Sequence, residues 1–418
     1  PFGTRRVVID SSPETDKACY VSAVLAAGAL VLYFFLSTPV TNHFQGFDYD
    51  GRYYAVLAGS DLFSASLKFE APWAYRILTP SLARALPWDV LTNFRVLAFL
   101  SNFFGLILLY YILREFALPD KICLLGVVAY ASVFWTLKFS FFSPAYIDHT
   151  TQFFLLLIIF LTLREKYFLL IPVFALAALQ KDSLALFSIF SAWFLFRRLK
   201  GADQPKRYGI PAATIAVPFL VVLILRWTIE VRNEWSPMIF IYQLELLLKP
   251  SFWPVMLQAI FSGLGLLLVV LPFGWRRWRS FLRESPEWLL FGVIGVAFLF
   301  GGIDKGRLFL YLLPLVIILF ALSLDEIRTK VSQKQFHIWA SFLLLAHAYL
   351  GMAFDNFRSM DHYFARMIPE HAGKTFYPYL AWNLILFVLV FLVTLAIVKQ
   401  STNERAQSAP ADPDRPIT

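Results

Sequence analysis

Apolar runs of roughly 20 residues recur along the whole chain, and they dictate what it can become. Ala18–Ser37, Val96–Leu113 and Tyr377–Val398 are near-continuous examples, each long enough to cross a hydrocarbon layer of about 30 Å. Inside lipid a backbone has no water to bond to, so such a segment must be a helix or a strand of a closed barrel. Barrel strands need only about 10 residues and alternate in polarity, so these runs read as helices. Only 16% of the 418 residues are charged and the mean hydropathy is +0.63, a lower charge content than soluble domains carry.

Twelve apolar segments can be marked, at 18–37, 94–113, 121–137, 146–163, 167–180, 183–196, 209–229, 253–273, 288–303, 308–324, 337–353 and 377–398. The expectation is an all-α polytopic integral membrane protein of about 12 transmembrane helices, one domain over residues 1–398. The polar, Pro-rich tail 399–418 reads as disordered. The first run is too long for a signal-peptide core and lacks a small-residue cleavage pattern, so it reads as a retained span.

An even number of spans puts both termini on one side. Of the 37 Lys and Arg, 22 fall on that side and 15 on the other. The dense clusters, Arg197-Arg198-Leu199-Lys200 and Arg276-Arg277-Trp278-Arg279, sit in its short loops. The positive-inside rule makes that side cytoplasmic. The net charge of +9 therefore reflects topology and does not point to nucleic acid. Cys19 and Cys123 both lie in apolar runs, against a disulfide framework or thiolate metal site. No Asn-x-Ser/Thr sequon occurs, which favours a bacterial inner membrane over a secretory-pathway membrane.

Segments five and six hold about 14 apolar residues each, short of a full crossing. Gln180-Lys181-Asp182 separates them and Arg164-Glu165-Lys166 and Arg197-Arg198 flank them. They read as a hairpin rising from the cytoplasm, its polar tip tolerated only against protein or a cavity. Three outer segments are long: 38–93, with an amphipathic helix near Gly51–Phe63; the region around 230–252, with another at Met238–Leu248; and 354–376, which holds the unassigned His362 and His371.

Ionisable residues gather at the outer ends. Phe47-Asp48-Tyr49-Asp50-Gly51-Arg52-Tyr53-Tyr54 follows the first span. A carboxylate at that boundary can accept a proton from a hydroxyl nucleophile; equally, Asp50 can cap the helix starting at Gly51. Asp148-His149 follows the third span, either as a second acid or as a cap for the fourth. An adjacent Asp and His could hold a divalent ion such as Mg or Mn only with ligands from other loops. Lys181-Asp182 lies at membrane depth, where ionisable groups are costly and usually functional, or else forms an internal pair. Gly302-Ile303-Asp304-Lys305-Gly306-Arg307 presents Lys305 and Arg307 in a tight outer turn, which Arg76 could join to grip phosphate; ordinary turn chemistry explains the same residues.

The context Asp50-Gly51-x-Tyr53-Tyr54-x-x-Leu57-Ala58 in the first outer loop, with Ala74-Tyr75-Arg76-Ile77-Leu78-Thr79-Pro80 after it, resembles the GT-C superfamily of membrane glycosyltransferases. The motif covers Phe47 to Pro80, and the expected topology agrees along the whole chain. The resemblance implies a sugar donor carried on a polyprenyl phosphate and a glycan, lipid or protein acceptor. Asp50 matches the family's catalytic acid, with Asp48 as an alternative because Tyr49 separates the two. Asp148 matches a second acid. Lys181, Arg76, Arg307 and Lys305 become candidates for the donor phosphate, and Tyr53, Tyr54, His149 and Asp182 for the rest of the substrate. Two other classes fit the topology: a lipid or solute transporter or flippase, which should show related halves and mid-membrane polar residues, and a polysaccharide polymerase or ligase with Arg-rich outer loops. No half-repeat is visible, and the acids concentrate at outer ends.

Overall fold

A computed structural model describes residues 13–233, 241–242, 245–250, 252–301, 304–352 and 376–408, and these form an all-helical assembly. Met238, Ile239, Phe240, Gln243 and Leu244 of the expected Met238–Leu248 helix fall outside the described residues, as do Gly302, Ile303, His362 and His371. The helices are α1 (Pro13–Ser37), α2 (Gly51–Leu57), α3 (Leu78–Ala85), α4 (Val90–Arg114), α5 (Asp120–Ala131), α6 (Leu137–Phe142), α7 (Asp148–Leu163), α8 (Tyr167–Gln180), α9 (Phe187–Arg198) and α10 (Gln204–Thr228). There follow α11 (Phe252–Leu264), α12 (Leu267–Val270), α13 (Trp275–Glu284), α14 (Glu287–Phe298), α15 (Lys305–Leu308), α16 (Leu313–Lys330), α17 (Gln333–Met352) and α18 (Phe376–Ser408).

Four helices are long and apolar enough to cross a membrane: Tyr20–Ser37, Val90–Arg114, Gln204–Thr228 and Leu380–Ser401. Two bent pairs bring the number to six if each pair is one span. Three of the four carry rows of exposed apolar side chains, such as Leu25, Leu32 and Leu36 on α1, Leu220, Leu223 and Trp227 on α10, and Ile385, Leu389 and Leu392 on α18. Apolar surface of that extent asks for lipid.

Several of the twelve expected segments are interrupted, for local reasons. Segment 121–137 stops as a helix at Ala131. There the Thr136 hydroxyl turns back on the carbonyls of Tyr130, Ala131 and Val133 at 2.9, 3.3 and 2.7 Å, satisfying oxygens that a continuing helix would have bonded. The twelve residues of α5 span only about 18 Å. Segment 253–273 breaks at Gly265, which has φ +56°, and the two parts meet at 85°. His347, reaching over from α17, holds that break. It accepts the Leu266 N–H at Nδ1 (3.1 Å) and donates from Nε2 to the Ala129 carbonyl (3.1 Å). Since the amide must donate and the carbonyl accept, the ring proton sits on Nε2. A Cβ on Gly265 would lie 2.4 Å from that ring. Segment 308–324 begins with a 69° bend between Lys305–Tyr311 and Leu313–Lys330, and its helix runs on to Lys330. The last helix continues to Ser408, past the expected start of the tail.

α4 and α7 run parallel and side by side. Ser101, midway along α4, bonds Thr150 at the start of α7 (3.2 Å), and Glu115 meets Arg164 (2.6 Å) at their ends. The expected hairpin forms: α8 and α9 are joined by a tight 3-10 turn at Asp182–Leu186, and both pack on α10. At the far end from that tip, Arg197 pairs with Glu287 and Arg277 with Asp325. Two of the basic loop residues are thus structural ties between helices.

Candidate functional site

The hairpin tip, the start of α7, the start of α2 and the start of α15–α16 converge. Their charges interlock, and the partners differ from those that chain neighbours suggest. Lys181 does not pair with Asp182. Its Nζ lies 3.0 Å from Asp148 Oδ1, and it stands over the Tyr311 ring at 5.3 Å. Asp182 instead takes Arg226 of α10 at 3.0 Å. Lys181 is able to enter because Gln180 ends α8 and the backbone turns extended at Lys181, φ −162° and ψ 119°.

Arg307 is the hub. Its guanidinium meets Asp50 at 3.0 Å, Asp148 at 3.6 Å and Asp304 at 3.9 Å, and lies 5.0 Å from the centre of the Tyr146 ring. The Tyr146 hydroxyl in turn accepts the Asp50 N–H at 3.4 Å. Burying such charges is favourable only when each is paired, and the chain Asp50–Arg307–Asp148–Lys181 meets that condition.

Asp50 occupies the N-cap position of α2 but its side chain caps nothing, because its own backbone is already helical (φ −69°, ψ −32°). The carboxylate is left for Arg307 and, at 20% exposure, for a ligand. Asp48 is different. Its side chain is fully buried. Oδ2 accepts from the Ser143 hydroxyl at 2.8 Å, and Oδ1 from the Tyr49 N–H at 2.9 Å with His43 Nδ1 at 3.4 Å. Burial raises its carboxyl pKa above the ordinary value, against the lowering effect of those bonds. Of the two acids, Asp50 is the one open to a substrate.

Arg76 donates to the Tyr54 hydroxyl at 2.8 Å, and its buried Nε has no hydrogen-bond partner. Burial pulls its pKa down, but the neighbouring Tyr54 and Asp182 outweigh that and hold it above the usual guanidinium value. Tyr54 is buried, whereas Tyr53 stacks on Trp73 at 4.0 Å, away from this network. Asp148 opens α7 and is committed to Lys181 and Arg307. His149 is buried with both ring nitrogens engaged, Nε2 to the Pro144 carbonyl (3.1 Å) and Nδ1 to the Thr150 hydroxyl (2.9 Å). Lys305 bonds the Leu299 carbonyl, lies 5.9 Å from the Phe252 and Phe300 ring centres, and meets the Arg307 cluster through the charge of Asp304.

Among the described residues no group of three or more His, Cys, Asp or Glu is placed to hold a metal. Asp50, Asp148 and Asp304 turn instead to the Arg307 guanidinium, at 3.0, 3.6 and 3.9 Å.

Gln180 is the residue that sequence reasoning passed over. It is fully buried. Its Oε1 accepts from both the N–H (3.2 Å) and the hydroxyl of Thr79, while Nε2 donates to the Ile147 carbonyl (3.0 Å) and lies 3.4 Å from the Thr151 hydroxyl. One amide thus joins the loop bearing Arg76, the residue before Asp148 and the residue before Lys181. An amide closing a 14-residue apolar run was its only signal in the chain. An open groove of about 400 Å³ is lined by Gln45, Phe47, Ser60, Leu62 and Asp89, and not by Asp50, Arg76, Asp148, Lys181 or Arg307. Comparison of the chain with known protein families, curated proteins and solved structures finds no match.

Proposed function

We propose that this chain is a GT-C-like membrane glycosyltransferase that moves a sugar from a polyprenyl-phosphate donor to an acceptor hydroxyl. Asp50 is the observation that carries this: a partly exposed carboxylate, relieved of capping and paired with Arg307, which in turn reaches Asp148 and through it Lys181. In the reaction the acceptor oxygen attacks the anomeric carbon, its proton passes to Asp50, and the bond to the lipid phosphate breaks with its electron pair leaving on the phosphate oxygen. A positioned carboxylate base contributes about 10²–10⁴ in rate. Arg307, Lys181 and Arg76 supply positive charge where the leaving phosphate gains negative charge. An arriving phosphate draws Arg307 from Asp50 and frees the base, while Asp148 keeps its second partner, Lys181. Asp148 then acts as a positioning residue for the cations.

In this reading the twelve apolar segments cross or enter a bacterial cytoplasmic membrane, both termini are cytoplasmic, and the Asp50 end faces outward. A lipid-borne donor suits a site at that boundary. The test follows a radiolabelled polyprenyl-phosphate sugar in proteoliposomes, parent against Asp50→Asn. Transfer to acceptor by the parent and its loss in the variant supports the reading. A parent that moves the lipid across the bilayer without transferring sugar favours a flippase.

A further inference from the structure

The Arg276-Arg277-Trp278-Arg279 cluster lies far from the Asp50 site, and folding gives its arginines two destinations. α13 is a ten-residue helix, Trp275–Glu284, within a stretch that turns 85° from α11. Its inward face is fully used: Phe281 is buried, Trp278 Nε1 donates to the Leu271 carbonyl at 2.8 Å, and Arg277 is tied to Asp325. The opposite face is exposed and carries Trp275, Arg276, Arg279 and Arg283. At 100° per residue these four fall within an arc of about 100°. Among the described residues none of the three arginines has an acidic partner; Arg279 leans over the Trp275 ring at 5.6 Å. Trp275 is 49% exposed.

We infer that this stripe is a docking surface for anionic phospholipid headgroups. Three observations join here. The helix is attached at both ends to apolar helices, α12 before it and α14 after it, which holds the stripe at the end of the apolar region. Trp in the company of Arg is the pairing that settles at the membrane–water boundary, with the ring among the headgroups and the cations on phosphate. The stripe itself contains no acid, so its charge complements an anionic surface and repels a cationic one. Arg277, on the other face, is already neutralised by Asp325 and takes no part. This inference is independent of the glycosyl-transfer reading.

Native mass spectrometry of the full-length protein, titrated with phosphatidylglycerol or phosphatidylcholine in mixed micelles, tests it. Each arginine at an anionic surface is expected to contribute about a fivefold preference. The parent should therefore prefer phosphatidylglycerol by about a hundredfold at low salt, falling as salt screens the charges. The triple variant R276Q/R279Q/R283Q should lose that preference. The triple variant R276K/R279K/R283K should keep most of it, which separates charge from fold. The control K200Q/K206Q/K334Q removes three exposed cations elsewhere and should behave as the parent. Equal binding of the two lipids by the parent, or an unchanged preference in the Gln variant, overturns the inference. So does a preference that emerges only on deletion of residues 409–418, which would make the chain's own acidic tail the occupant.

Discussion

Arg307 Nη1 lies 3.0 Å from Asp50 Oδ2 across 257 residues of chain. The pair joins the loop after α1 to the start of the bent α15–α16 segment. It places the candidate base and a candidate phosphate ligand in one contact.

Asp50→Asn should reduce sugar transfer about 100- to 10,000-fold, because Asn can accept a hydrogen bond from Arg307 but cannot take a proton. A lost N-cap typically costs about 1 kcal/mol. Asp50 caps nothing, so any stability loss in Asp50→Ala should come from the unpaired Arg307 and not from a missing cap. Transfer assays together with thermal melting of both variants decide this: full transfer by Asp50→Asn would falsify the base assignment.

Asp48 should behave as a structural acid. Asp48→Ala strips the Ser143 hydroxyl and the Tyr49 N–H of their acceptors, at about 1–3 kcal/mol for each buried group left unsatisfied. Its backbone φ of +55° also suits Asp and Asn better than Ala. Its pH effect has a definite sign. Burial raises the folded pKa above the ordinary 3.8, so the folded state binds this proton more tightly than the unfolded state. The stability it contributes is complete below 3.8 and is lost as pH rises through the folded value. Asp48→Asn carries no such proton. Melting of the detergent-solubilised protein across that window should show parent stability falling relative to Asp48→Asn as pH increases.

How much of this was readable beforehand depends on whether the cause was local. The hairpin was legible because two apolar runs too short to cross are separated by Gln180-Lys181-Asp182. The exposed faces of α1 and α18 were legible as unbroken hydropathy. The helix break at Gly265 was not, because the flanking residues are as apolar as the rest and its support comes from His347, 81 residues away. The break after Ala131 was equally silent, since a Thr hydroxyl does the work of the next turn's amides. Charge partners were the least legible. Lys181 and Asp182 stand side by side in sequence, yet they point to Asp148 and Arg226 because an extended residue between two helices sends successive side chains in opposite directions.

Lys181 is expected to have two roles that a double variant separates. Lys181→Met leaves Asp148 with Arg307 alone, and breaking a buried pair by removing one partner typically costs about 3–5 kcal/mol. Lys181→Met with Asp148→Asn removes both charges and should recover most of that stability. If Lys181 also holds donor phosphate, transfer stays low in the double variant, with a raised KM for the lipid-linked sugar. Recovery of transfer along with stability would assign Lys181 to structure alone.

Gln180 offers the sharpest test of how the site is held. Its amide ties together the segments that present Arg76, Asp148 and Lys181, so its loss should disturb chemistry beyond what its hydrogen bonds contribute to folding. Gln180→Leu preserves approximate volume but leaves the Thr79 N–H and hydroxyl and the Ile147 carbonyl without this partner. Each buried unsatisfied group costs about 1–3 kcal/mol, so melting should drop clearly. Gln180→Glu keeps an acceptor for both Thr79 donors but loses at least one of the two amide donations toward Ile147 and Thr151. Kept protonated by its burial, the acid should retain the Thr79 tie and lose less stability than Gln180→Leu, while Asp148 and Lys181 shift. A displacement of about 1 Å in a reacting constellation can cost 10²-fold. The expected signature is a kcat loss in Gln180→Glu out of proportion to its change in melting temperature. If activity and stability fall in step across the Leu and Glu variants, Gln180 serves the fold and the site is positioned by other means.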